Sequence, residues 1–162
     1  MLYTDYHSPV GKLLLAANER GLSGVYFEEH KHFKGMLGWQ RNDDHPVLQQ
    51  TQQQLTAYFA GTRQEFDLPL DMTQGTAFQQ LVWQALRTLS FGSTVSYLHI
   101  AKCIGKPGAV RAVGAANGRN PISIIVPCHR VIANSGALTG YAGGLKNKMT
   151  LLKFEADSML FK

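Results

Sequence analysis

The sequence predicts an α/β chain of the α+β kind, with a sheet-bearing N-terminal part and a mainly helical C-terminal part that contains a helix-turn-helix. Three observations carry this. Short apolar runs near the start are separated by two segments rich in turn formers, His7-Ser8-Pro9-Val10-Gly11 and Asn18-Glu19-Arg20-Gly21. From Phe78 onward, Phe78, Leu81, Val82, Ala85, Leu86 and Leu89 recur at helical spacing. Beyond residue 90, two short helical stretches flank the turn Gly105-Lys106-Pro107-Gly108.

Taken in order, residues 2–6, 12–17 and 22–27 read as three strands of an antiparallel meander. Residues 47–60 read as an amphipathic helix stopped by Gly61, with the glutamines of residues 49–54 on its wet face. A strand is expected at 66–69. Asp71-Met72-Thr73-Gln74-Gly75 then reads as a connector, which divides the chain into residues 1–71 and 72–162. In the second unit Ser96 is the expected N-cap of a helix over 97–103, a second short helix covers 109–117, and a C-terminal helix covers 145–156. Cys103, among Ile100, Ala101 and Ile104, is expected in the core.

With 162 residues and 44% hydrophobic content, the chain can bury a substantial core. Its two cysteines, Cys103 and Cys128, are too few for a disulfide scaffold and offer no Cys-x-x-Cys zinc spacing. The N-terminal histidines His7, His30, His32 and His45 have no cysteine near them, so no metal is expected. No run approaches the roughly 20 apolar residues of a membrane span, and the first twelve residues lack the apolar run of a signal peptide. A cytoplasmic protein with no membrane partner is expected. Charge is unevenly placed: residues 1–94 hold 7 Lys/Arg against 9 Asp/Glu, and residues 95–162 hold 9 against 2. A basic excess in one part suits a phosphate-binding surface, and equally a solvated basic face. Likewise the helix pair suits either a DNA-reading motif or a core hairpin. The charged stretch from Glu28 to Lys34 reads as a solvated loop.

The chemistry concentrates where an apolar run ends in Pro127-Cys128-His129-Arg130-Val131. A thiol is a nucleophile only as thiolate, so it needs positive charge or a proton acceptor beside it. His129 can accept the proton, and Glu155 on the expected C-terminal helix is a candidate to orient the imidazole. Neighbours on a strand point apart, so the pair by itself leaves accident and catalysis both open.

Those five residues resemble the active-site signature of the O6-alkylguanine-DNA alkyltransferases. The likeness extends through Val95-Ser96-Tyr97, Ala112-Val113-Gly114-Ala115, Asn120-Pro121 and Gly140-Tyr141-Ala142-Gly143-Gly144, from about Phe78 to Glu155. Among these proteins it is most similar to the bacterial constitutive type. The resemblance implies an RNase H-like N-terminal domain before a helical active-site domain. It also implies irreversible, single-turnover transfer of an alkyl group from O6-alkylguanine, and from O4-alkylthymine, in duplex DNA. Cys128 would accept the alkyl group, His129 would take the proton through a water, Glu155 would orient His129, and Asn120 would brace the turn before the active site. Tyr97 would rotate the nucleotide and donate to the base. Arg111 would enter the stack where guanine has left, with Ala112, Ala115 and Ser96 on the same DNA-binding surface at the minor groove. Val131, Tyr141 and Ala142 would close the base pocket, the Val131 carbonyl accepting from the guanine amino group. Some relatives carry serine where this chain has Ala142, which predicts tolerance for alkyl groups larger than methyl. No cofactor is implied, and a monomer is expected. The presence of Cys128 argues against a non-catalytic reader of alkylguanine, single turnover would separate the protein from a cysteine hydrolase, and no metal-bearing sensor domain precedes the motif.

Overall fold

The structure, a computed structural model, describes residues 1–160, so the last two residues of the expected C-terminal unit lie outside it. Three antiparallel strands form the N-terminal sheet domain: β1 (Leu2–Ser8), β2 (Gly11–Asn18) and β3 (Gly21–Tyr26). The β1–β2 turn closes on Gly11, whose φ of +96° suits only glycine without strain, while the Ser8 hydroxyl donates to the Gly11 carbonyl. A two-residue strand, β4 (Gln40–Arg41), pairs parallel with β1, giving the order β3-β2-β1-β4. Two polar residues carry no period, so nothing in the sequence announces β4.

α1 (Pro46–Phe59) covers one face of this sheet with Leu48, Leu55 and Tyr58, all fully buried. Gln49, Gln50 and Gln53 face water as expected, but Gln54 does not. It is 7% exposed, donating to the Asp67 carbonyl and accepting from the Asp67 N–H. That amide takes over the pairing that a strand at 66–69 would have needed, and Pro69 has no N–H to extend a ladder. Residues 66–69 therefore form no strand, and the one bridge beside them pairs Leu22 with Leu70.

The helical C-terminal domain begins with α2 (Ala77–Leu86), whose Thr76 cap and Gln79 side chain satisfy each other's backbone N–H groups in a capping box. β5 (Val95–Ser96) leads into α3 (Tyr97–Cys103), capped by the Ser96 hydroxyl on the His99 N–H. A turn through Gly105, at φ +74°, delivers α4 (Val110–Gly118), which packs on α2 and α3. Cys103 is exposed, contrary to expectation. Ile100 and Ala101 define the buried side of this short helix, and two residues on from Ala101 the helix has turned to solvent. A 3-10 turn (Cys128–Arg130), β6 (Val131–Ile132) parallel to β5, and α5 (Leu145–Leu160) complete the chain.

One joint positions the segment that carries Cys128. The outer edge of β3 is not free: the Val25 N–H donates to the Pro121 carbonyl at 2.9 Å, and the Ser123 N–H donates to the Val25 carbonyl at 3.3 Å. Its other end is closed by Leu22 and Asp71, exchanging bonds with Pro69 and Leu22 carbonyls at 2.8 Å each. Residues 21–25 are consequently buried, and the sheet extends into the segment that precedes Cys128.

Candidate active site

Cys128 sits at the start of the 3-10 turn with 3% exposure. The segment before it runs through Ile124 at φ +72°, a conformation that a β-branched residue rarely adopts. Asn120 holds that segment: its side-chain N–H donates to the Val126 carbonyl at 2.8 Å, and its Oδ1 accepts the Ile122 N–H at 3.0 Å. The same Nδ2 lies 3.2 Å from the Cys128 sulfur, and Asn117 donates to the Cys128 carbonyl at 3.4 Å. Burial pushes the Cys128 thiol up, against the opposing pull of the Asn120 N–H and of the Lys148 charge.

His129 is completely buried, with its Nε2 2.7 Å from Glu155 Oε2. Burial lowers its pKa, more than Glu155 raises it, so the ring is neutral at pH 7. Glu155 also takes Arg130 Nε at 2.8 Å, Arg130 Nη2 at 2.9 Å, the Tyr58 hydroxyl at 2.6 Å and the Gly92 N–H at 3.3 Å. Burial alone would raise this carboxyl, but the bonds from His129 and Arg130 outweigh it and hold the group ionised, well below the usual carboxylate range. A carboxylate only accepts, so Nε2 carries the hydrogen and Nδ1 keeps its lone pair. Nδ1 has no hydrogen-bond partner among the described residues. The arrangement is a neutral base oriented by a buried anion, one residue from a thiol.

The walls around it come from three elements. Val131 is fully buried, and its carbonyl already accepts from Lys148 Nζ at 2.7 Å. Lys148 also reaches the Thr139 carbonyl at 3.2 Å, and the Thr139 hydroxyl shares a 2.6 Å bond with the Tyr97 hydroxyl. Tyr141 and Ala142 are 8% and 9% exposed, and the Tyr141 phenol is raised by burial and then by the charge of Cys128 beside it. On α4, Val113, Ala116 and Asn117 face inward, while Arg111, Ala112 and Ala115 are exposed on the opposite face. The Ala116 carbonyl is fixed from behind by Trp83 Nε1 at 2.8 Å. Ser96 lies at the foot of α3 as its cap.

Residues 77–157 match the family model described as the DNA binding domain of 6-O-methylguanine DNA methyltransferase, and residues 1–72 match its ribonuclease-like domain. The chain belongs to the 6-O-methylguanine DNA methyltransferase family. Among its members, a methylated-DNA–protein-cysteine methyltransferase of Mycobacterium leprae is 48% identical over 94% of this chain and 91% of its own length. One from Methanosarcina acetivorans is 49% identical over 97% and 99%. The crystal structure of Mycobacterium tuberculosis OGT in complex with DNA is similar with a TM-score of 0.91, at 47% identity over 98% of this chain and 94% of that one.

Within this family member, three residues around the site escaped the sequence reading: Arg130, Tyr58 and Lys148. Arg130 stood in the motif without a role. Tyr58 reads as the apolar face of α1, and only the fold brings it to Glu155. Lys148 did leave a signal, because with Leu151 and Glu155 it lies at three- and four-residue spacing on the buried face of α5. Its ammonium has no carboxylate partner among the described residues, and burial lowers its pKa. Lys148→Met is expected to slow reaction of Cys128 with a thiol-directed alkylating agent by about tenfold, through loss of one neighbouring charge. Stopped-flow alkylation of a Cys103→Ser background checks this.

Proposed function

We propose that this chain repairs duplex DNA by moving the alkyl group of O6-alkylguanine onto Cys128, once per molecule, and acts on O4-alkylthymine in the same way. The observation that supports it most is the ordered set Cys128, His129 and Glu155 behind a helix-turn-helix whose outer face bears small residues and Arg111. In this reading His129 Nδ1 takes the Cys128 proton through a water, and Glu155 stabilises the imidazolium that forms. Sulfur attacks the carbon bonded to O6. The carbon–oxygen bond breaks, its electron pair goes to the guanine, and Tyr97 donates to the leaving base. The product is a thioether, which neither water nor another thiol reverses, so one molecule repairs one lesion. No cofactor takes part.

Asn120 braces the segment that carries Cys128. Val131, Tyr141 and Ala142 enclose the flipped base; the Val131 carbonyl has a second lone pair for the guanine amino group beside its Lys148 bond. The protein approaches the minor groove as a monomer, with Ala112 and Ala115 allowing α4 close and Ser96 at the adjoining backbone. It works in the cytoplasm, where both thiols stay reduced. Arg111→Ala is expected to weaken preference for alkylated over undamaged duplex by about tenfold, since the inserted side chain offsets base unstacking. Competition binding with both duplexes measures it; an equal loss on the two would reduce Arg111 to a phosphate contact.

The deciding experiment mixes the protein with duplex carrying one tritiated O6-methylguanine. Label saturating at one per molecule, on a peptide containing Cys128, is the expected result. Binding without transfer would make the chain a reader of the lesion, and label released to solvent would make it a turning-over enzyme.

A further inference from the structure

Residues 140–144 form a strap beside Cys128, and its ties run to the other end of the chain. Phe27, at the exit of β3, is 4% exposed. Its ring meets Tyr141 edge to face, with centroids 5.7 Å apart and planes at 68°. It also occupies the space over Gly143: a β-carbon there would stand 2.2 Å from Phe27 Cδ2 and 2.5 Å from Cε2. Glycine at 143 is thus the counterpart of the ring, independent of any turn requirement. Four residues on, the Lys31 N–H donates to the Ala142 carbonyl at 2.8 Å. Phe27 is itself held, since His30 stacks on it at 6.0 Å and 10° and accepts its backbone N–H at 3.2 Å. Tyr141, Ala142 and Gly143 are therefore each tied to residues 27–31, and the buried Tyr141 phenol neighbours the Cys128 thiol.

We propose that Phe27 is a specificity-determining positioning residue, which holds the strap at residues 141–143 against Cys128 and thereby limits the size of alkyl group that the site accepts. This rests on the alkyl-transfer reading of the site. Phe27 acts through Tyr141 and Gly143. Removing the ring lets the strap retreat, which opens the space beside the sulfur while loosening the geometry that a small methyl group needs.

Single-turnover transfer from duplexes carrying O6-methylguanine or O6-benzylguanine tests the idea in the full chain with Phe27→Ala, Phe27→Leu, Gly143→Ala and the pair Phe27→Ala with Gly143→Ala. Phe27→Ala is expected to slow methyl transfer by about tenfold and to raise the benzyl-to-methyl rate ratio by about fivefold, in line with the sensitivity of transfer to small displacements. Phe27→Leu should fall between. Gly143→Ala should slow both substrates, and the double variant should recover at least about threefold of that loss, because the new methyl group fills space the ring has left. A benzyl-to-methyl ratio unchanged in Phe27→Ala and Phe27→Leu, or strictly additive effects in the double variant, overturns the proposal even if melting temperatures fall. Should Phe27→Ala fail to fold, the Phe27→Leu ratio and the Gly143→Ala rates decide it. Absence of transfer by the unaltered protein is a different failure, that of the alkyl-transfer reading, and takes this proposal with it.

Discussion

Cys128→Ser is expected to abolish alkyl transfer, a fall of at least about a thousandfold, while the protein still binds alkylated duplex. The variant keeps the shape of the site: a serine oxygen can still meet Asn120 Nδ2, which lies 3.2 Å from the sulfur. What it loses is acidity. A neutral imidazole can draw a proton from a thiol, whose ordinary pKa is about 8.5, far more readily than from an alcohol. Label counting on the protein gives the first quantity and fluorescence anisotropy with a labelled duplex the second. Residual transfer in the variant would direct attention to Cys103, the other thiol, which is exposed on α3 on the side away from its packed residues.

Glu155→Gln is expected to damage both chemistry and stability. The carboxylate is 1% exposed and accepts from His129, Arg130, Tyr58 and the Gly92 N–H. An amide turns two hydrogens toward those donors and leaves the Arg130 guanidinium buried without its counter-charge. Breaking one side of a buried pair in this way costs about 3–5 kcal/mol. Loss of the orienting anion should slow transfer by about 10²–10⁴-fold. The pH dependence follows from the directions of the shifts. The Glu155 carboxyl is depressed in the fold, so its stabilisation is complete above the unfolded value of about 4.3 and drains away as pH falls below it. The His129 ring is a base with a lowered pKa, so the unfolded chain gains a proton first, and stability declines already below about 6.5. Urea unfolding across pH 3–8 should therefore show two descending phases in the unaltered protein. In Glu155→Gln the lower phase should shrink; its full persistence would remove Glu155 from the account of acid stability.

How much of this was legible in the residues follows from range. Strands, helices and caps set by neighbours were readable: the turns at 7–11 and 18–21, the Ser96 cap, and the helical spacing of α2. Misreadings arose where a distant partner replaced a local pattern. Gln54 belongs to a polar run, yet it is the fold that turns it inward to Asp67. The run at 66–69 has strand composition, but that same side chain and Pro69 stop it from becoming one. Cys103 has apolar neighbours, but a short helix packed on one side leaves it outside. The sequence pointed to Cys128, His129 and Glu155, the last two of which the fold joins at 2.7 Å. It did not point to Lys148 as a link between Val131 and Thr139, because both acceptors are main-chain carbonyls and carry no residue identity. Nor did it point to Phe27, whose partner is the missing side chain of a glycine.

The hydrogen bonds that join β3 to Pro121 and Ser123 have a consequence in time. A chain emerging from the ribosome makes β1 to β3 early, but the outer edge of β3 at Val25 stays unmatched until the residues around Ile122 arrive. Glu155, which meets Tyr58 across 97 positions of sequence, comes later still. Contacts of such separation close slowly, after local helices and hairpins have formed. The segment before Cys128 is joined to β3 and the neighbouring base to Glu155, so the cysteine takes up its buried, base-supported setting only when nearly the whole chain is in place. Alkyl transfer by Cys128 therefore waits on the completed fold, because the base, its orienting anion and the strap come from residues far apart in sequence.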